Sequence, residues 1–213
     1  MPWALVFLVI AGNCAHVPRS RSIGSFREAT VRTQEQAAAL AFGLVLKSTQ
    51  YPEVRRAALK IVADCNDRDD MCELKAIYNA VKKGTDAVPG LENGVRYVSD
   101  PDGDDDSGND YFTSAARLLE MCADGACGGD CDDHSILIAS LCMQLGFQVG
   151  LRIWKPEDGK SFEHIYAVVG LPKLNPTSAV AMDTTVPEAY VGWEPRDGYV
   201  KTVALANQKW VNQ

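Results

Sequence analysis

The sequence predicts an α+β domain in which helices come first and an antiparallel sheet follows. Three observations predict it. Apolar residues recur at helical spacing through most of the first half, and the period changes to strand-like alternation after Gly146. The composition is that of a soluble globular chain: 46% hydrophobic and 23% charged over 213 residues. A chain of this length buries roughly 70% of its unfolded surface, so folding does not require a metal or a disulfide framework.

The elements follow in order. An Ala-rich helix is expected over Gln34 to Lys47, despite Gly43. From Pro52, apolar residues at Val54, Ala57, Ala58, Ile61, Val62 and Cys65 mark one helix face. Pro52 suits the first turn, where its missing N–H costs nothing. A further helix begins near Asp70, with Glu73 as a capping-box partner and Met71, Leu74, Ile77, Tyr78 and Val81 as its apolar face; Gly84 ends it. Val95 to Val98 is a short extended piece before the acidic loop that starts at Asp100. A helix is expected from Phe112 to Cys122, then a Gly/Cys/Asp-rich turn. The next helix buries Ile136, Leu137, Leu141 and Leu145 and stops at Gly146. Strands are expected at Gln148 to Trp154, Phe162 to Val169, Ala179 to Thr184 and Tyr199 to Leu205. The boundary between an N-terminal region (1–50) and the main domain (51–213) is drawn before Pro52.

Charge and targeting signals narrow the function. With 28 acidic against 21 basic residues the formal net charge is -7, which opposes nonspecific binding to nucleic acid. The apolar run from Trp3 to Ala11 is too short for a membrane-spanning helix and lacks a preceding Lys or Arg. It reads as a buried strand or one that docks on a partner, with the basic connector Pro18 to Ser22 behind it. A cytoplasmic or virion-associated location is favoured over secretion.

Chemistry concentrates in Gly129-Asp130-Cys131-Asp132-Asp133-His134. A thiol attacks as thiolate, and a helix N-terminus favours that anion through its exposed N–H groups and dipole. Cys131 sits where a Gly-rich turn enters a helix, and the same N–H groups suit an oxyanion. Asp132 and Asp133 oppose the thiolate, so a cationic partner is needed. His134 lies three residues along the helix. His164 lies on a strand, and the next strand presents Asp183. Cys131, His164 and Asp183 then supply nucleophile, base and orienting carboxylate.

These stretches, with Phe162-Glu163-His164-Ile165-Tyr166 and Met182-Asp183-Thr184-Thr185-Val186-Pro187-Glu188, resemble the transglutaminase-like superfamily of papain-like cysteine enzymes, in its compact bacterial and phage form. The resemblance runs over Val54 to Glu194. It implies a nucleophile helix packed on an antiparallel sheet, with Cys131 as nucleophile, His164 as base and acid, and Asp183 as orienter. It also implies Tyr97 as the aromatic residue that helps hold the oxyanion. The implied activity is amide cleavage through a thioester by a peptidase or amidase, with cross-linking to an amine as a variant. The substrate is then a protein or peptide, and no metal or organic cofactor is expected.

Other readings stay open from the residues alone. Cys127 lies in the same turn as Cys131, and a disulfide between them would silence the nucleophile. Cys122, Cys127, Cys131 and His134 could be zinc ligands, though their spacing lacks paired knuckles. The Asp run fails the EF-hand pattern, because Asp105 stands where Gly is required. Trp154, Trp193 and Trp210 suit core or rim packing. The competing function is a non-catalytic structural or interaction component, for instance of a phage virion or tail, joined to its assembly through the apolar N-terminus.

Overall fold

The computed structural model describes residues 26–30, 33–100, 109–159, 162–204 and 210. The apolar run, the connector behind it, Cys14 and most of the acidic loop lie outside these residues. The described chain is mixed α and β, in the order β1 (Phe26–Thr30), α1 (Gln34–Lys47), α2 (Pro52–Ile61), α3 (Asp70–Lys82), β2 (Arg96–Tyr97), β3 (Asn109–Thr113), α4 (Ala115–Ala123), β4 (Gly128–Gly129), α5 (Cys131–Gln144), β5 (Val149–Lys155), β6 (His164–Leu171), β7 (Ser178–Met182) and β8 (Tyr199–Ala204). The main sheet has the order β7-β6-β5-β8, antiparallel throughout. No described helix is long and apolar enough to cross a membrane.

The helix starts have local causes. Thr33 caps α1 by accepting from the Gln36 N–H, and Pro52 occupies the first turn of α2. For α3 the cap is Asp69, whose carboxylate accepts from the Cys72 N–H at 2.9 Å, one residue earlier than expected. Glu73 does not close a capping box; it pairs with Lys173 across the molecule. Met71 is exposed, so the buried face of α3 begins at Leu74. Gly84, at φ +107°, ends the segment, since its N–H turns back to the Asn79 and Ala80 carbonyls.

Two expectations fail in informative ways. Residues 109–113 form a strand, not the start of a helix, and α4 begins only after Ser114, whose hydroxyl accepts from the Arg117 N–H. The partner of that strand is β1, far earlier in the chain, and a local pattern cannot show such pairing. The spacing of Ile136, Leu137, Leu141 and Leu145 suggests an amphipathic α5. Instead the helix is buried nearly all round, including Asp132, Asp133, His134, Ser135 and Ser140. α1 to α4 surround it, and β5 and β6 close the remaining side. Ile136, Leu137, Ile138 and Leu141 have no solvent exposure, and burial of each contributes about 1.5–3 kcal/mol.

The sheet has two unlike faces. Leu151, Ile153, Ile165, Ala167, Val169 and Met182 join the main core with α5. Tyr166, Val168, Ala181 and Trp210 form a second, smaller cluster on the other face. Between β7 and β8, the 183–191 segment is tied down by α3. The Tyr78 hydroxyl donates to the Ala189 carbonyl at 2.6 Å, and the Lys82 ammonium donates to the Val186 and Ala189 carbonyls at 2.9 and 2.5 Å. Because the Tyr78 hydroxyl is buried with its acceptor, Tyr78→Phe is expected to lower unfolding free energy by about 1–2 kcal/mol in urea titrations. The segment after Asp183 is expected to gain hydrogen exchange in the same variant.

Candidate active site

Asp130 caps α5, its carboxylate accepting from the Asp132 and Asp133 N–H groups at 3.1 and 3.4 Å. Cys131 is therefore the first residue of the helix, half-buried, with its thiol outside any disulfide. Cys127 bonds to Cys122, not to Cys131, and Cys65 bonds to Cys72. The silencing disulfide is thus replaced by one that closes the preceding turn, because the end of α4 brings Cys122 back beside Cys127. That bond also consumes two of the four conceivable zinc ligands. Cys142 is fully buried, and burial raises its thiol pKa far above the usual range, which makes it an inert core residue.

The Gly128-Gly129 pair is required by space. β2 runs parallel to β4, with Arg96 beside Gly128 and Tyr97 beside Gly129. A Cβ on Gly129 would lie 2.6 Å from atoms of the Asp133 side chain, and one on Gly128 would lie 2.9 Å from a Val98 methyl. This pairing sets Tyr97 beside a residue two positions from Cys131. The Tyr97 ring lies 6.5 Å from that of His134 and is half exposed. Burial raises the phenol pKa, and negative charge on Cys131 and Asp130 adds to the effect. The phenol therefore keeps its proton.

His164 and Asp183 meet directly. His164 opens β6, Asp183 follows β7, and Nε2 of the imidazole lies 2.7 Å from Oδ2 of the carboxylate. The Asp183 side chain is 1% exposed and that of His164 16%. Burial alone would raise the Asp183 pKa. The hydrogen bond and charge of His164, with two hydrogen bonds from Thr185, outweigh it and hold the carboxyl below its ordinary value. Asp183 is thus a fixed anion that accepts from Nε2 and leaves Nδ1 outside this bond.

Ser135 links the cysteine helix to the histidine strand. Its hydroxyl lies 2.6 Å from the Cys131 carbonyl and 3.2 Å from that of Ile165, the neighbour of His164. Of the four residues singled out from the sequence, His164 and Asp183 meet in a hydrogen bond, while Cys131 opens α5 and Tyr97 lies on β2, which pairs with β4 just before it. His134 has a different part. Its Nδ1 lies 2.9 Å from the Thr184 hydroxyl, and burial lowers its pKa to about 4, so it stays neutral and structural.

On sequence alone, Asp132 and Asp133 are plain anions that oppose a thiolate. Within the fold, burial raises the pKa values of Asp133 and Asp130; the charge of Asp130 adds to this at Asp133, and that of Asp100 at both. The pair retains a proton well above the carboxylate range, which reduces the negative charge beside Cys131. Asp133 also accepts from the Thr113 N–H at 2.6 Å, at the end of the unexpected strand. Thr113 and Ser135 are the site residues that sequence reasoning misses. Only the i, i+4 placement of Ser135 after Cys131 hints at either.

The raised carboxyls have a consequence for stability. A folded-state pKa above the unfolded one contributes stability that is full below the unfolded pKa and lost as pH rises through the folded one. Asp133→Asn keeps an acceptor for Thr113 and removes the charge. Its thermal midpoint is therefore expected to match wild type near roughly pH 4 and to exceed it increasingly toward roughly pH 8. A constant offset across that range would refute the assignment. Gly129→Ala, by contrast, is expected to cost about 2 kcal/mol or more at every pH, because its Cβ has no space. No protein-family model matches the chain, and no curated protein matches it in sequence.

Proposed function

We propose that the chain is a cysteine-dependent acyl-transfer enzyme with a transglutaminase-like (papain-like) core, hydrolysing an amide bond in a protein or peptide. The observation that carries this reading is the His164–Asp183 hydrogen bond of 2.7 Å, formed by a buried carboxylate beside the helix that starts at Cys131. A base that must cycle through imidazolium gains from such an anion.

In this reading the Cys131 thiol passes its proton to Nδ1 of His164, and the thiolate attacks the carbonyl carbon. The developing oxyanion is received by N–H groups at the start of α5, with the Tyr97 hydroxyl as a further donor. The C–N bond breaks as His164 gives its proton to the departing amine, leaving a thioester on Cys131. Water then attacks while His164 takes its proton, and the thiolate leaves as the acid is released. An amine in place of water would give cross-linking, and nothing in the arrangement marks a dedicated amine site. The two disulfides favour an oxidising location over the cytoplasmic one that the sequence suggests, or a virion exterior over its interior.

The test is the alkylation rate of each thiol by iodoacetamide against pH, resolved by peptide mass spectrometry without reductant. Cys131 is expected to react fast well below roughly pH 8 and Cys142 hardly at all in the folded protein. In His164→Ala that acid-side reactivity should fall by roughly 10²-fold or more, with the fold retained. Equal, ordinary reactivity of Cys131 in both proteins would sink the activated-thiol reading. It would leave the non-catalytic structural role.

A further inference from the structure

A cavity of about 400 Å³ opens between the outer flank of α3 and the 187–191 loop. Its lining holds Lys75, Lys82 and Lys83 together with Tyr78, Asn79 and Tyr190, and it includes no Asp or Glu. Glu188 in the same loop and the buried Asp183 act on Lys82, and the three lysines still leave the opening with an excess of positive charge in a chain of net charge -7. Helical spacing explains how three lysines share one flank, since positions 75, 79, 82 and 83 fall one above another along α3.

The lysines have different tasks. The Lys82 ammonium donates to the Tyr78 hydroxyl and to the Val186 and Ala189 carbonyls, so it holds the loop in place. Lys83, just past the helix end, gains something from the dipole there. Lys75 lies mid-helix and gains nothing from it. Both Lys75 and Lys83 are exposed, and neither has an ion-pair partner among the described residues. Tyr190, 63% exposed, offers an aromatic lip over the same opening.

We propose that this cavity docks an extended acidic peptide segment, with carboxylates meeting Lys75 and Lys83 and the intervening backbone lying against Tyr190 and Asn79. Spacing selects a peptide over a small free anion. Eight residues along a helix place the two lysine backbones about 12 Å apart. With the side chains extended in parallel, a single phosphate or short dicarboxylate does not reach both. Two side chains four positions apart on one face of an extended strand are about 13 Å apart and match it. The 187–191 wall continues the segment that begins at Asp183.

The docking site stands on the cavity and not on the chemistry of Cys131, so binding is measured on Cys131→Ala, where turnover cannot intervene. The probes are a fluorescein-labelled pentapeptide with glutamate at its first and fifth positions, its glutamine counterpart, and free glutarate as competitor. Fluorescence anisotropy is expected to show the glutamate peptide binding, and binding should weaken as salt rises. The glutamine peptide should bind roughly ten-fold more weakly, and Lys75→Ala/Lys83→Ala should weaken the glutamate peptide by a similar factor, as for two partly exposed charge pairs. Lys83→Glu alone should weaken it too, while Lys82 is left intact because it holds the loop. Three results would overturn the proposal: no measurable binding, equal affinity for the two peptides, or binding unchanged by the lysine variants. Displacement by glutarate at concentrations equal to the peptide would also overturn it, in favour of a site for small anions.

Discussion

The polar first turn of α5 has to be satisfied inside the protein, and much of the structure follows from that requirement. A helix surrounded on every side gains a large apolar contribution from Ile136, Leu137, Ile138 and Leu141. It also buries Asp132, Asp133, His134 and Ser135 at the end where its N–H groups are unsatisfied by the helix itself. Unmet polar groups there would cost as much as the apolar burial supplies. Each neighbour therefore brings a polar group: Asp130 as cap, the Thr113 N–H to Asp133, Thr184 to His134, and the Ile165 carbonyl to Ser135. β3, β6 and the segment after β7 converge on one point because that point needs them.

The same convergence explains why the candidate chemistry sits there. A helix start is where a thiolate is least costly, and the strands that answer its polar turn arrive with their own ends alongside. β6 begins at His164 and β7 ends just before Asp183. The His164–Asp183 pair thus lies at the sheet's rim, where one side chain can be buried and its partner can reach solvent. Tyr97 enters through a two-residue parallel pairing with β4, where a Cβ on Gly129 would collide with the Asp133 side chain.

How far all this is legible in the sequence depends on the range of each interaction. α1 is readable to its observed ends, because helical spacing is local, and the four sheet strands are readable to within two or three residues. The alternation that turns His164 and Ile165 to opposite faces is legible for the same reason, whereas β7, expected to reach Thr184, stops at Met182 before Asp183. β1 and β3 are not, because neither has an apolar alternation to betray it and each exists only by pairing with the other. The Tyr78 and Lys82 anchors reach across about a hundred residues, and nothing near them in sequence names their acceptors. Cys127 is an intermediate case. Its reactivity toward a nearby cysteine is legible, but two partners are almost equally close in sequence. Only the reversal of chain direction after α4 decides for Cys122.

That choice of partner has a practical side. A thiol nucleophile is ordinarily kept active with a reductant, yet the turn that delivers Cys131 is itself closed by an oxidised pair. β4 leaves that turn directly from Cys127, whose carbonyl accepts from the Arg96 N–H and starts the pairing with β2. Reductant thus acts on the site in two opposite senses, restoring the sulfur at Cys131 and slackening the frame that aims it. A strong reductant is consequently the wrong default for this protein, and a mild redox buffer is the medium in which both sulfur states can coexist.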